Sequence, residues 1–384
     1  MKYIFTLLSI FISTLSFAQE VKEVGKDLEV APNTPTPNKK YDIPDFLKSV
    51  EPYGTFEYAL AGGTQDMNIV EIVPRMGLKG EWYIDGSDKY YFFTTAEVGL
   101  HLSRRNDFIN ISVDPGGNYT TSESALYARL GFVGIGTPYG NISIGKQWGV
   151  HYNLAGNIDN MYMFGADGIG VYNAGTDGGP SGTGRADQLL KYEITINNLW
   201  LGIQGQFRNF SSNSVYFADS YGAAVMYDFK VVKVGFSYNK VLDGVEKPSH
   251  GEAKIDDEYV AALVDFKRDN FHFGILAEVF NNHEKYNDSI FFKGWGIEYN
   301  LKYNFGKKKE WSFVNNSSIL IPFADEDTDY VANRYSFELA RRFSKNVVMF
   351  TGIRIDNSTM SDGTKSNLHH IAIGFYYNFN YPVP

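Results

Sequence analysis

Few residues in this chain are equipped for covalent chemistry. It has no cysteine, which excludes thiolate catalysis, disulfides and cysteine-bound zinc. Its seven histidines fall in no Ser/His/Asp or metal-ligating spacing. His369 and His370 adjoin, and neighbours on a strand point to opposite faces and cannot co-ligate one ion. Asp325, Glu326, Asp327 and Asp329 bring oxygen ligands close together, as calcium requires, but such clusters are more often solvated loops. The expectation is therefore no enzyme, no cofactor and no resident metal.

The remaining charged residues can act through their fields. Arginines stand at Arg75, Arg129 and Arg185, and acids at Asp159, Asp167 and Asp177, inside a long glycine-rich stretch from 148 to 184. A connection of that length is usually functional or disordered, and Tyr162, Phe164 and Tyr172 argue that this one packs against something. An acidic loop folded inside a wall bearing arginines would leave a narrow aqueous gap. The transverse field across it would orient and filter dipolar and charged solutes. The bland alternative is that these side chains merely solvate a polar interior.

The elements that must carry these residues are strands. From Tyr53 to Phe379 the pattern alternates with a period of two. Trp295, Ile297, Tyr299, Leu301, Tyr303 and Phe305 are interleaved with Gly294, Gly296, Glu298, Asn300, Lys302 and Asn304; helical spacing does not produce this. On this parity, Met76, Leu78 and Trp82 face outward and Arg75, Lys79 and Glu81 inward. Leu126, Ala128, Leu130 and Phe132 face outward and Arg129 inward. Leu190, Tyr192 and Ile194 face outward, with Arg185 and Lys191 inward.

A soluble sandwich would also alternate. Three features favour a membrane barrel. The strands are roughly ten or more residues long, which suits a tilted crossing. Aromatic residues gather near strand ends, and short turns alternate with long loops. The short turns fall at 85–88, 138–139, 197–198, 229–230, 268–270, 306–309 and 344–346. The breaks count out about sixteen strands, an even number as bacterial single-chain barrels require. The fold class expected is all-β: one transmembrane antiparallel β-barrel with an inward-folded constriction loop at about 148–184.

Composition agrees. Aromatics make up 16% of the 384 residues and the net charge is −9, while mean hydropathy is −0.26. A barrel that hides an apolar residue at every second position averages out as polar. The acidic balance argues against a nucleic-acid partner. Residues 1–18 read as a cleaved signal peptide: Lys2, an apolar run from Ile4 to Leu15, then Ser16-Phe17-Ala18. Residues 19–50 read as a flexible Pro-rich periplasmic leader, and 51–384 as the barrel. The localisation expected is the outer membrane. Lipids and lipopolysaccharide would surround the barrel and small hydrophilic solutes would occupy it.

With these elements in place, the chain resembles the general trimeric porins of enterobacterial outer membranes. The resemblance covers nearly all of Tyr53 to Phe379. It is carried by Pro52-Tyr53-Gly54, by Arg75-Met76-Gly77-Leu78-Lys79-Gly80-Glu81, which matches the family's Arg-Leu-Gly-Phe-Lys-Gly-Glu, and by Ala128-Arg129-Leu130-Gly131-Phe132. Gly145 through Asn153 is similar to the lead into the family's constriction loop, Phe164-Gly165-Ala166-Asp167 resembles its tip, and Ser336 through Asn346 its penultimate hairpin. The resemblance implies Arg75, Arg129 and Arg185 on the wall opposite loop acids such as Asp159, a homotrimer, and passive diffusion of small solutes and ions. A substrate-selective channel for a sugar or an anion is the alternative, with Trp200 and Tyr376 as stacking candidates; a barrel enzyme or adhesin is a more distant one. The chain departs from the family at Met163, where a loop Glu is usual, and at Thr55, where a Lys is usual. It also extends past the expected terminal aromatic, Phe379, to Pro384.

Overall fold

The computed structural model describes residues 49–380, apart from 64–66, 73, 85, 103–124, 166–168, 170, 172–176, 209–216, 243–256, 282–291 and 367–368. The expected signal peptide and nearly all of the expected leader lie outside the described residues. Among the described residues, seventeen strands and one short helix run in chain order. They are β1 Val50–Gly62, β2 Met67–Glu71, β3 Arg75–Tyr83, β4 Tyr91–Leu100, β5 Leu126–Thr137, β6 Gly140–Trp148, then α1 Val150–Ala155. After the helix come β7 Arg185–Ile196, β8 Leu199–Gln206, β9 Ser220–Asp228, β10 Val232–Val241, β11 Asp257–Arg268 and β12 Phe271–Asn281. The last five are β13 Gly294–Phe305, β14 Trp311–Pro322, β15 Ala332–Arg342, β16 Val347–Asp356 and β17 His370–Asn380. The first strand starts at Val50, one residue before the expected start of the barrel.

All strands belong to one antiparallel sheet, each stave paired with its neighbours in sequence. The sheet closes where β1 pairs with β17, from Tyr53 opposite Asn380 to Gly62 opposite Ile371. β2 and β3 form a single stave: β2 pairs with the end of β1 and β3 with its start. The break falls at Pro74, which has no N–H to give a ladder. The backbone stays paired across it, because Ile72 N donates to Glu57 O at 2.9 Å and Leu100 N to Pro74 O at 2.9 Å. The barrel therefore has sixteen staves, as the sequence pattern leads one to expect.

The two faces sort as the alternation requires. Val264, Val279, Ile203 and Phe236 stand exposed on the outside. Asp265, Glu278, Gln204 and Ser237, one position along, are buried within. Strand β5 departs from the expected parity. Its register against β4 shifts so that Val98 opposes Ala128 while Glu97 opposes Leu130, which leaves Arg129 as an extra residue. A bulge of this kind flips every later side chain to the other face. Leu126 and Ala128 face outward as expected, but Leu130 lies opposite the inward Glu97, and Phe132 lies opposite Thr95 on the inner wall.

A charge placed on the outer face at mid-height should cost about 2–4 kcal/mol of folding stability. Val264→Lys, followed by urea unfolding in lipid vesicles, is expected to lose that amount. An unchanged midpoint would mean that this face does not meet hydrocarbon.

Candidate functional site

The segment after β6 turns into the barrel. Helix α1 begins after Gly149, and its polar groups are matched to the inner wall one by one. Val150 N donates to Gln204 Oε1 at 2.7 Å. The His151 ring lies 3.0 Å through Nδ1 from Ser237 Oγ and 3.3 Å through Nε2 from Glu278 Oε2. Asn153 Nδ2 donates to Glu193 Oε1 at 2.8 Å. The apolar side of the segment needs an apolar wall. Leu154, Ala155, Ile158, Ile169 and Val171 pack on Ala261, Leu263 and Leu276, inward residues of β11 and β12. A Cβ at Gly274 would run into Ile158, so the missing side chain makes room for the approach.

Further on, the segment reaches the staves on either side of the closure. Tyr162 N donates to Glu338 Oε2 at 3.0 Å, and its ring stacks on Phe350 at 5.4 Å and meets Tyr376 at 5.1 Å. Phe164 is fully buried against Ala59, Ala61, Ala340 and Ala372, with the Arg354 guanidinium 5.2 Å from its ring. A Cβ at Gly352 would sit 3.3 Å from the Phe164 ring. The returning limb is held by side-chain amides. Gln204 donates to Gly182 O, Gln206 to Gly179 O and Asn239 to Ser181 O, at 2.8, 2.7 and 2.9 Å.

The sequence-predicted charges fall into two sets. In the first, Arg129 Nε donates to Glu97 Oε1 at 2.7 Å, and Arg75 Nε lies 3.9 Å from the other oxygen of the same carboxylate. Arg129 and Glu97 are buried and Arg75 is half-exposed, so Arg75 presents the accessible positive charge. Asp159, on the segment, is exposed. The protein mass around Asp159 raises its carboxyl above its ordinary value, and the Arg75 charge opposes that rise. In the second set, Asp177 and Arg185 pair with each other at 3.4 Å. Lys146 joins them, 2.8 Å from Asp177 and 2.6 Å from Asp187, and the Arg185 guanidinium covers the Trp148 ring at 5.2 Å. This set clamps the two ends of the segment together. Asp167 lies outside the described residues.

Sequence reasoning missed Glu97, Lys146, Asp187 and Glu338. Glu97 and Glu338 stand at inward positions of their strands, and that signal was open to reading; Lys146 has the parity of the exposed Ile142 and Ile144, and Asp187 lies at a register shift between β6 and β7, so alternation does not point to either. Missing from the sequence was knowledge of which inward charges meet the segment and which meet one another.

What remains uncovered is the wall of β3 to β7. A cavity of about 530 Å³ lies against it. Its lining includes Lys79, Glu81, Phe93, Phe132, Gln147 and Lys191.

The family model described as "Gram-negative porin" matches residues 53–381. Among solved structures, OmpF of Salmonella typhi in complex with daunomycin superposes with a TM-score of 0.65 at 17% identity, over 88% of this chain and 99% of that one. The anion-selective porin of Comamonas acidovorans gives 0.63 at 12% identity, over 86% and 99%. OmpT of Vibrio cholerae in its trimer form gives 0.61 at 15% identity, over 86% and 99%. These likenesses establish the shared fold. No curated protein matches the sequence.

The clamp makes a pH-dependent prediction. Burial acts to raise the Asp177 carboxyl, but Lys146 and Arg185 outweigh it and hold the group below its ordinary value. Its contribution is therefore present at neutral pH and is lost as the pH falls below about 4. Asp177→Asn is expected to speed amide hydrogen exchange across 177–184 about tenfold at neutral pH. Wild type should reach that rate only on acidification. Equal protection in the two proteins at pH 7 would show that the clamp does not hold the segment.

Proposed function

The chain belongs to the Gram-negative porin family, outer-membrane barrels that let small hydrophilic solutes and ions diffuse through, and on that premise we propose that the 148–184 segment sets the width and field of its passage. One observation supports the reading above the others. The segment is docked along the inner wall from β8 to β1 by matched apolar and polar contacts, while the β3–β5 wall facing it carries Arg75, Arg129 and Glu97. Solutes pass between Arg75 on the wall and Asp159 on the segment. Arg129 has its charge largely spent on Glu97 and acts by holding that carboxylate in place. Arg185 and Asp177 fix the loop's root rather than facing each other across the gap.

The mechanism is passive. No bond forms or breaks, and the protein is not an enzyme; rate follows the concentration gradient, the width of the gap and the field across it. The signal peptide directs export and is cleaved after Ala18, and the residues from 19 up to the start of β1 form a periplasmic leader. The barrel sits among lipids and lipopolysaccharide as a homotrimer, as the trimer form of the Vibrio cholerae protein suggests.

Reversal potentials across a salt gradient test the gap. Arg75→Ala should shift permeability toward cations by about twofold or more, and Asp159→Ala toward anions by a similar factor. Shifts in the same direction would sink the assignment. Light scattering of the purified protein in detergent should give a protein mass of three chains; a single-chain mass would remove the trimer.

A further inference from the structure

Aromatic residues line the uncovered wall in an order that the passage of ions does not call for. On the inner face, Tyr83 and Tyr91 lie 5.4 Å apart, Tyr91 and Phe93 5.9 Å, and Phe93 and Phe132 6.3 Å between ring centroids. The Tyr91 ring occupies the space over Gly136 and the Phe93 ring the space over Gly134, where a Cβ would collide with each. A ring laid on a glycine turns one face to the wall and the other to the cavity. At the upper end of the same cavity Trp148 stacks on Tyr152, with centroids 3.7 Å apart.

The polar groups beside these rings suit a neutral partner. The two lysines of the lining are already paired, Lys79 with Glu51 at 2.9 Å and Lys191 with Glu193 at 3.0 Å. No unspent cation is offered to an anion. The amides are only partly used. Asn141 accepts the Tyr91 hydroxyl through its oxygen, and Asn153 gives its nitrogen to Glu193, so the Asn141 nitrogen remains to donate and the Asn153 oxygen to accept at the cavity. Flat apolar faces flanked by amide and hydroxyl groups complement a pyranose ring, with its C–H face and hydroxyl rim.

We propose that the cavity along β3–β7 is a sugar-binding subsite, in which pyranose rings stack on Tyr91, Phe93 and Phe132 and hydrogen-bond to Asn141 and Asn153. This rests on the channel reading above and adds a preferred solute class to it. The site does not use Trp200, whose ring covers Gly202 beside Val150, or Tyr376, which packs against Tyr162. Binding holds sugars between the β3–β7 wall and the start of the docked segment, where Asn153 stands.

The test is single-channel recording of the full protein in planar bilayers, with maltotriose or an ethylene-glycol oligomer of equal mass added. The expected result is saturable, concentration-dependent interruption of the current by maltotriose and only a proportional, non-saturating fall with the glycol. In the double variant Phe93→Leu/Phe132→Leu, which keeps apolar bulk but removes the ring faces, the maltotriose affinity should fall about tenfold. Sugar-free current carried by the variant reports a folded barrel, and the affinity is read against that variant's own open level. Trp200→Leu should leave the affinity unchanged. If the two additives act alike on wild type, or if the double variant binds maltotriose as wild type does, the subsite is overturned while the channel stands. A purified protein that passes no current at all would overturn the channel reading itself.

Discussion

Hydrocarbon offers no partner to a backbone amide, and the rest of this structure follows from that single constraint. A sheet in lipid must have no edge. The pairing of β1 with β17 removes the last one and joins residues more than three hundred apart in the chain. Every other pairing is between neighbouring staves, β2 and β3 counting as one. Even the irregular stave respects the rule: where Pro74 interrupts the ladder, Ile72 N and Pro74 O still find partners on β1 and β4.

Closure gives the wall two solvents, and the inner one is not uniform. Where the interior is left open, the inward positions are charged, amide, hydroxyl or aromatic. Where the 148–184 segment lies against the wall, they turn apolar: Ala261, Leu263 and Leu276 meet Leu154 and Ile158, and a group of alanines receives Phe164. The segment brings its own buried polar groups, and the wall answers with Gln204, Ser237, Glu278 and Glu338. Docking is thus a small folded interface built inside a channel, and the passage is whatever that interface leaves free.

Charges near the passage are mostly shared. One carboxylate, Glu97, faces two arginines, and Lys146 faces two acids. Placing like charges on a narrow wall without such partners would be costly where water is scarce. Sharing keeps the field local, so a modest number of exposed groups, Arg75 and Asp159 among them, can set what an ion feels.

The sequence by itself determined the barrel, because a side-chain period of two, repeated over long segments with short and long breaks, has one stable solution when one face must meet lipid. It also announced the exceptional segment through its length and its glycines, and it put Arg75, Arg129 and Lys191 on the inner face. Only the tertiary structure decided what those residues do. The extra residue at Arg129 reverses the rest of β5 and sends Phe132 inward, and an alternating pattern does not reveal a one-residue shift between two strands. The apolar runs Val260–Val264 and Ile275–Ala277 blur the alternation because both faces there are covered, one by lipid and one by the segment. Pairings such as Asp177 with Arg185, or Tyr162 with Glu338, depend on where a loop comes to rest in three dimensions. Periodicity is a local property that each strand carries alone, whereas contact across a lumen is a property of the closed ring.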